Sequence, residues 1–179
     1  MNYQEILRFW FEECEPEQWF KKDQAFDEII RVRFSEIHQK ATMGELAEWR
    51  STVEGRLAEI IVLDQFSRNL YRGDSKSFAF DGMALVLAQE AISHTPIDQL
   101  TVQQRSFLYM PFMHSESLMI HETALRLFAE EGMEENLIFE QRHQRIIARF
   151  GRYPHRNDVL GRTTTKEEQA FLLEPNSSF

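Results

Sequence analysis

Between residues 57 and 70, apolar side chains occupy almost every side of a helix, and this stretch limits the fold more than any other. At 100° per residue, Leu57, Ile60 and Ile61 share one sector, while Val62, Leu63, Phe66 and Leu70 lie opposite. A helix that is apolar nearly all round has no face for water and must be enclosed by other elements. Those elements read as helices too. Glycine and proline are scarce, seven and five in 179 residues, and apolar residues recur at helical spacing in most segments. Helices are expected over 3–13, 23–41, 51–71 and 75–93, in a short piece after Thr101 interrupted at Pro111, over 114–131 and 134–150, and in a short piece after Thr164. Asp23 suits an N-cap. Ser51-Thr52-Val53-Glu54, Thr101-Val102-Gln103-Gln104 and Thr164-Thr165-Lys166-Glu167 suit capping boxes, and Gly73 and Gly132 suit stops. No segment reads as a strand. The expectation is an all-α fold, a single domain over 1–179, built from antiparallel helix pairs as a bundle or short solenoid. Residues 175–179 are expected to fray.

Composition excludes several classes. The one cysteine, Cys14, permits no internal disulfide and reads as a small apolar filler among acids. The N-terminus lacks a basic start followed by an apolar run, and nothing approaches eighteen uninterrupted apolar residues. A cytoplasmic protein with no membrane partner is the expectation. A net charge of -9 argues against nucleic acid as a partner. Oligomeric state stays open.

The charge is unevenly spread. Residues 141–166 carry seven basic side chains against one acid, Asp158, and residues 110–140 carry seven acids against one base, Arg126. The centre of the basic stretch is the run 149–162, Arg-Phe-Gly-Arg-Tyr-Pro-His-Arg-Asn-Asp-Val-Leu-Gly-Arg. It fits neither helix nor strand period, yet Phe150, Tyr153, Val159 and Leu160 anchor it, which a disordered linker would not do. It reads as an ordered loop that gathers cations. Arginine suits two-pronged recognition of carboxylate or phosphate, and internal bracing between helices uses the same geometry.

Polar groups also interrupt apolar faces elsewhere. On the wheel of the third long helix, Asp64, Arg68, Tyr71 and Arg72 continue the sector of Leu57, and Asp64, Arg68 and Arg72 stand four apart. His114 and His121 sit among Leu118, Ala124, Leu125 and Phe128, and His143 sits among Phe139, Ile146, Ile147 and Phe150. A seven-residue spacing separates His114 and His121 by roughly 10 Å along a helix, too far to chelate one ion at Zn–N bonds of about 2 Å. Glu140-Gln141-Arg142-His143 has no second copy to complete a di-iron set. No metal and no cofactor are expected, and no nucleophile elbow, phosphate loop or dinucleotide fingerprint is present.

Three blocks together carry a family resemblance: Leu63-Asp64-Gln65-Phe66-Ser67-Arg68-Asn69-Leu70-Tyr71-Arg72-Gly73, Tyr109-Met110-Pro111-Phe112-Met113-His114-Ser115-Glu116, and residues 149–162 with the Thr-x-x-Glu cap that follows. With Phe9-Trp10-Phe11 and Trp19-Phe20 at the start, the chain resembles, over essentially its full length, a bacterial family known as domain of unknown function 924. The resemblance implies a single superhelix of antiparallel helix pairs, similar to tetratricopeptide-repeat proteins. It implies no activity and transfers no catalytic residue.

Three functions fit these residues. In a binding module, Asp64, Arg68, Asn69, Arg72, His114, Glu116, His143, Arg152, His155, Arg156, Asn157 and Arg162 would surround an anionic small molecule or a peptide carboxylate. In a small enzyme, His155 or His143 would act as acid/base on an anionic metabolite. In a structural network, the same groups would lock helices together. The first is preferred, because it needs neither nucleophile nor cofactor.

Overall fold

The computed structural model describes residues 1–178, and the described residues contain helices and turns but no strand. The helices are α1 (Tyr3–Arg8), α2 (Pro16–Phe20), α3 (Gln24–Thr42), α4 (Val53–Ile61), α5 (Ser67–Leu70), α6 (Asp81–His94), α7 (Val102–Met113), α8 (Leu118–Leu127), α9 (Glu134–Phe150) and α10 (Lys166–Leu172). They group into two compact units, one of residues 1–72 and 76–111, the other of residues 73–75 and 112–179.

The all-round apolar helix is the spine of the first unit. Leu57, Ala58 and every residue from Ile60 to Leu63 are fully buried, as is Phe66. It is not one regular helix, because the π-helical turn Val62–Phe66 separates α4 from α5. A second π-turn, Phe9–Glu13, follows α1, where the Cys14 N–H bonds the Phe9 carbonyl five residues back. The two turns bring their aromatic residues together, with Trp10 5.6 Å and Phe9 6.1 Å from Phe66 between ring centroids, and Phe34 of α3 joins them 5.1 Å from Phe66. Ring pairs at such offsets add to the area they bury. Burial pushes the Cys14 thiol up to about 12, so it stays an inert thiol.

In the second unit α8 and α9 are joined by a short turn and lie antiparallel, since His121 and Glu140, nineteen residues apart, touch. Ile146, Ile147, Tyr153 and Phe171 form its apolar core with Phe150 against them. Gly151, at φ 68°, ends α9 in the left-handed conformation that glycine adopts without strain.

Several expected boundaries shift for identifiable reasons. Thr52 and Thr165, each one residue later than the sequence suggests, are the N-caps of α4 and α10. Thr101 and Gln104 do exchange the reciprocal bonds of a capping box, but α7 runs through Pro111 to Met113 without a break. Residues 114–117 form a turn rather than the start of a helix. The tail expected to fray folds back instead: Ser177 is buried and its hydroxyl donates to the Leu172 carbonyl. Phe179 lies outside the described residues.

Candidate functional site

The π-turn in the first unit leaves helical carbonyls without their usual N–H partners, and the next residues supply them. The Ser67 hydroxyl donates to the Leu63 carbonyl at 2.6 Å, and Arg68 Nη1 donates to the Asp64 carbonyl at 2.7 Å. Ser67 in turn accepts from His38 Nε2 at 2.8 Å, which fixes that imidazole as a neutral donor; burial pushes it down to about 4. Arg68 also grips Asp81 with both Nη atoms at 2.9 and 3.0 Å and reaches Asp64 Oδ1 at 3.1 Å. Asp64 is buried and accepts from the Gln65 amide.

Four residues later Arg72 repeats the pattern with a carboxylate of α3. Asp27 accepts two bonds from Arg72, at 2.6 and 2.7 Å, and one from Asn69 Nδ2 at 2.8 Å. Beside it, Arg31 donates to the Leu70 carbonyl. Gln24, Asp27, Glu28, Arg31, Asn69, Leu70 and Arg72 line an open polar depression of about 400 Å³. Its guanidinium and carboxylate groups already face one another, so it presents no uncompensated charge of either sign.

In the second unit the loop 149–162 closes over the turn 113–116. Three successive carbonyls at and beyond the end of α7 each receive a side-chain donor. Tyr153 Oη donates to Met113 at 2.6 Å, Arg156 Nη2 to His114 at 3.0 Å and His121 Nε2 to Ser115 at 2.8 Å. These are carbonyls that a helix end leaves without intrahelical partners. The Glu116 carboxylate accepts both Nη atoms of Arg162, at 2.7 and 3.0 Å, and the Tyr153 N–H at 2.7 Å. Burial works against the Glu116 charge, but Arg162, the Tyr153 N–H and nearby Arg156 outweigh it and hold its carboxyl below the usual range.

The loop is tied equally firmly to α10. Arg152 forks onto Glu168 at 2.7 and 2.8 Å, and Asn157 joins them, donating to Glu168 and accepting from Arg162 Nε. The Arg152 fork holds the Glu168 carboxyl down at about 2. Backbone turns complete the loop, with the Arg156 and Leu160 N–H groups bonding the Tyr153 and Arg156 carbonyls.

Tyr153, fully buried, is the hub. His121, His143 and His155 ring centroids lie 6.3, 5.7 and 5.6 Å from its own, and the Arg156 guanidinium stacks on it at 4.6 Å. His114 and His155 are part-exposed, while His121 and His143 are buried. His143 donates Nδ1–H to the Phe139 carbonyl and is pushed down to about 3, chiefly by burial. A buried imidazole with so low a value remains neutral and cannot serve as a general acid near pH 7.

The twelve expected site residues thus divide between the units. Asp64, Arg68, Asn69 and Arg72 belong to the first, where Arg68 meets Asp64 and Asn69 and Arg72 meet Asp27. His114, Glu116, His143, Arg152, His155, Arg156, Asn157 and Arg162 belong to the second and form one network there. The sequence reading missed the carboxylates Asp27, Asp81, Glu140 and Glu168 and the hub Tyr153. Asp27 and His38 share a face with Ile30 and Phe34, so the criterion of polar groups on an apolar face would have found them had it been applied to α3. Among the described residues no group of three or more His, Cys, Asp or Glu side chains is placed to hold a metal ion. Among the described residues no helix is long and apolar enough to cross a membrane.

The chain matches a family described as a bacterial protein of unknown function, DUF924, over residues 6–176. It is also similar to the solved structure of a protein of unknown function from Agrobacterium tumefaciens, with 37% sequence identity, 96% of each chain covered and a TM-score of 0.90. No curated protein matches.

Proposed function

We propose a function for this chain, which belongs to the DUF924 family of bacterial proteins of unknown function, from the geometry of its second unit. It is a binding module of helix pairs, tetratricopeptide-like, that takes an anionic small molecule or a peptide carboxylate against His114, His155 and Arg156. The observation that carries this reading is the convergence of three imidazoles and one guanidinium around Tyr153, on a turn whose backbone three side-chain donors hold in place. The part-exposed imidazoles of His114 and His155, backed by the buried guanidinium of Arg156, suit an anion, because the ligand meets groups that need little reordering. Arg68, Arg72, Arg152 and Arg162 contribute differently: each forks onto an internal carboxylate and builds the frame.

A second reading is that the network is structural only, and the capping of the carbonyls of residues 113–115 favours it. In an acid/base enzyme, the role would fall to His155, because His143 is buried and neutral. Calorimetric titration with inorganic phosphate, succinate and a peptide with a free or amidated C-terminus separates these readings, run on wild type, His155→Ala and Arg156→Lys alongside thermal unfolding. The binding module requires an anion that binds wild type and binds the folded variants about tenfold or more weakly, a loss of at least one charge-assisted hydrogen bond. If none of these anions binds wild type and Arg156→Lys lowers stability, the network is structural.

A further inference from the structure

Glu140 and His121 face each other from α9 and α8, and both side chains are fully buried. His121 Nδ1 lies 2.6 Å from Glu140 Oε1, and Nε2 lies 2.8 Å from the Ser115 carbonyl oxygen. A carbonyl can only accept, so Nε2 carries a proton. The short contact on the other side of the ring needs one proton more, on Nδ1 or on Oε1. Two arrangements provide it: a carboxylate beside an imidazolium, or a carboxylic acid donating to a neutral imidazole.

The second oxygen of Glu140 decides between them. Oε2 is buried and has no hydrogen-bond partner among the described residues. That position is unfavourable for an atom sharing a carboxylate's charge and far milder for the carbonyl oxygen of an acid. Burial pushes the Glu140 carboxyl up, against the pull of His121.

We propose that Glu140 stands as an uncharged carboxylic acid whose proton latches the 113–116 turn through His121, so that the turn loosens when the proton is withdrawn. Withdrawal leaves two arrangements, each with a broken bond. If Nε2 keeps its proton, the Nδ1 lone pair faces a carboxylate. If the proton moves to Nδ1, the Nε2 lone pair faces the Ser115 carbonyl. The neighbours do not replace it. Tyr153 Oη, 3.2 Å from Nε2, directs its own proton to the Met113 carbonyl. His143 stays neutral, Arg156 is committed to the Tyr153 ring and the His114 carbonyl, and Glu116 is held by Arg162. His114 and His155 complete the titratable groups around this ring cluster.

The sign of the pH effect follows from counting protons. Unfolded, the pair holds one proton between about pH 4.3 and about pH 6.5 and none above. Folded, it retains one. Above about pH 6.5 folding therefore takes up a proton, and stability falls with rising pH until the folded pair titrates. This latch operates whether or not the turn binds a ligand.

Glu140→Gln tests the proposal, since its amide N–H can donate to Nδ1 and reproduce the neutral arrangement with nothing to titrate. The variant is expected to fold. Relative to it, the folding equilibrium constant of wild type should drop about tenfold per pH unit above about pH 7. The infrared difference between wild type and variant at neutral pH should contain the carbonyl stretch of a protonated carboxylic acid. Amide exchange at residues 114–116 should quicken with pH beyond the intrinsic rate in wild type alone. Should Glu140→Gln fail to fold, the infrared spectrum of wild type with isotope-labelled glutamate decides in its place. A carboxylate band in place of the acid band, or parallel stability profiles for wild type and variant, overturns the proposal.

Discussion

Replacing Gly55 by alanine puts helix propensity and packing in direct opposition. Gly55 sits in the first turn of α4, and by propensity alone alanine at a helical glycine gains about 1 kcal/mol. The structure reverses that sign. A Cβ at Gly55 would lie 2.0 Å from the Trp49 carbonyl oxygen and 2.8 Å from its carbon, and these are backbone atoms that cannot rotate away. Reaching ordinary contact, about 3.5 Å, requires the turn Ala47–Ser51 to move by more than about 1 Å. That turn carries Arg50, which forks onto the fully buried Glu59 at 2.6 and 2.7 Å. It also adjoins Thr52, whose hydroxyl caps the Gly55 N–H at 3.0 Å. Disturbing the cap costs about 0.5–2 kcal/mol, and leaving a buried carboxylate poorly paired costs up to about 3–5 kcal/mol. With partial relaxation, the net expectation is a destabilisation of about 2–4 kcal/mol. Urea unfolding followed by circular dichroism measures it directly. A variant as stable as wild type, or more stable, would show that the turn gives way freely and that the close approach constrains nothing.

Two further outcomes follow from the loop and its carboxylates. Tyr153→Phe keeps the buried ring but leaves the Met113 carbonyl without its donor, so unfolding should show a loss of about 1–3 kcal/mol; a loss under about 0.5 kcal/mol would mean that the carbonyl finds another donor. Glu168 is held down at about 2 against an unfolded value of 4.5, so its contribution is fully present above the unfolded value and disappears as pH falls through the folded one. The stability gap between wild type and Glu168→Gln should therefore shrink steadily from about pH 5 towards about pH 3, and a constant gap contradicts the Arg152 assignment.

The elements were legible because apolar spacing survives in most of them. Asp23 caps α3 as its chemistry requires, and the run around Leu57 is as buried as its composition demands. The candidate site was legible only in part. A wheel turned at a constant 100° loses its phase at Val62–Phe66, where the π-turn carries an extra residue, so the stripe from Asp64 to Arg72 does not simply extend the Leu57 face. The partners of the arginines were hidden for a different reason. Asp27, Asp81, Glu116 and Glu168 lie between 13 and 46 residues away along the chain, and composition signals that cations need anions without saying which. The loop 149–162 is ordered, as its apolar anchors imply, but Tyr153 is more than an anchor. Its hydroxyl, its N–H and its ring each meet polar groups that no local pattern reveals.

The capped carbonyls at residues 113–115 also impose an order of assembly. Their donors arrive at very different times as a chain lengthens from its N-terminus: His121 is six residues beyond Ser115, whereas Tyr153 and Arg156 are 40 and 42 residues beyond Met113 and His114. A growing chain can pin one of the three carbonyls as soon as α8 forms. The other two wait in water until α9 has turned back and the loop 149–162 has emerged. Residues 153–156 therefore finish a turn begun much earlier, and until they arrive that turn is held at one end only.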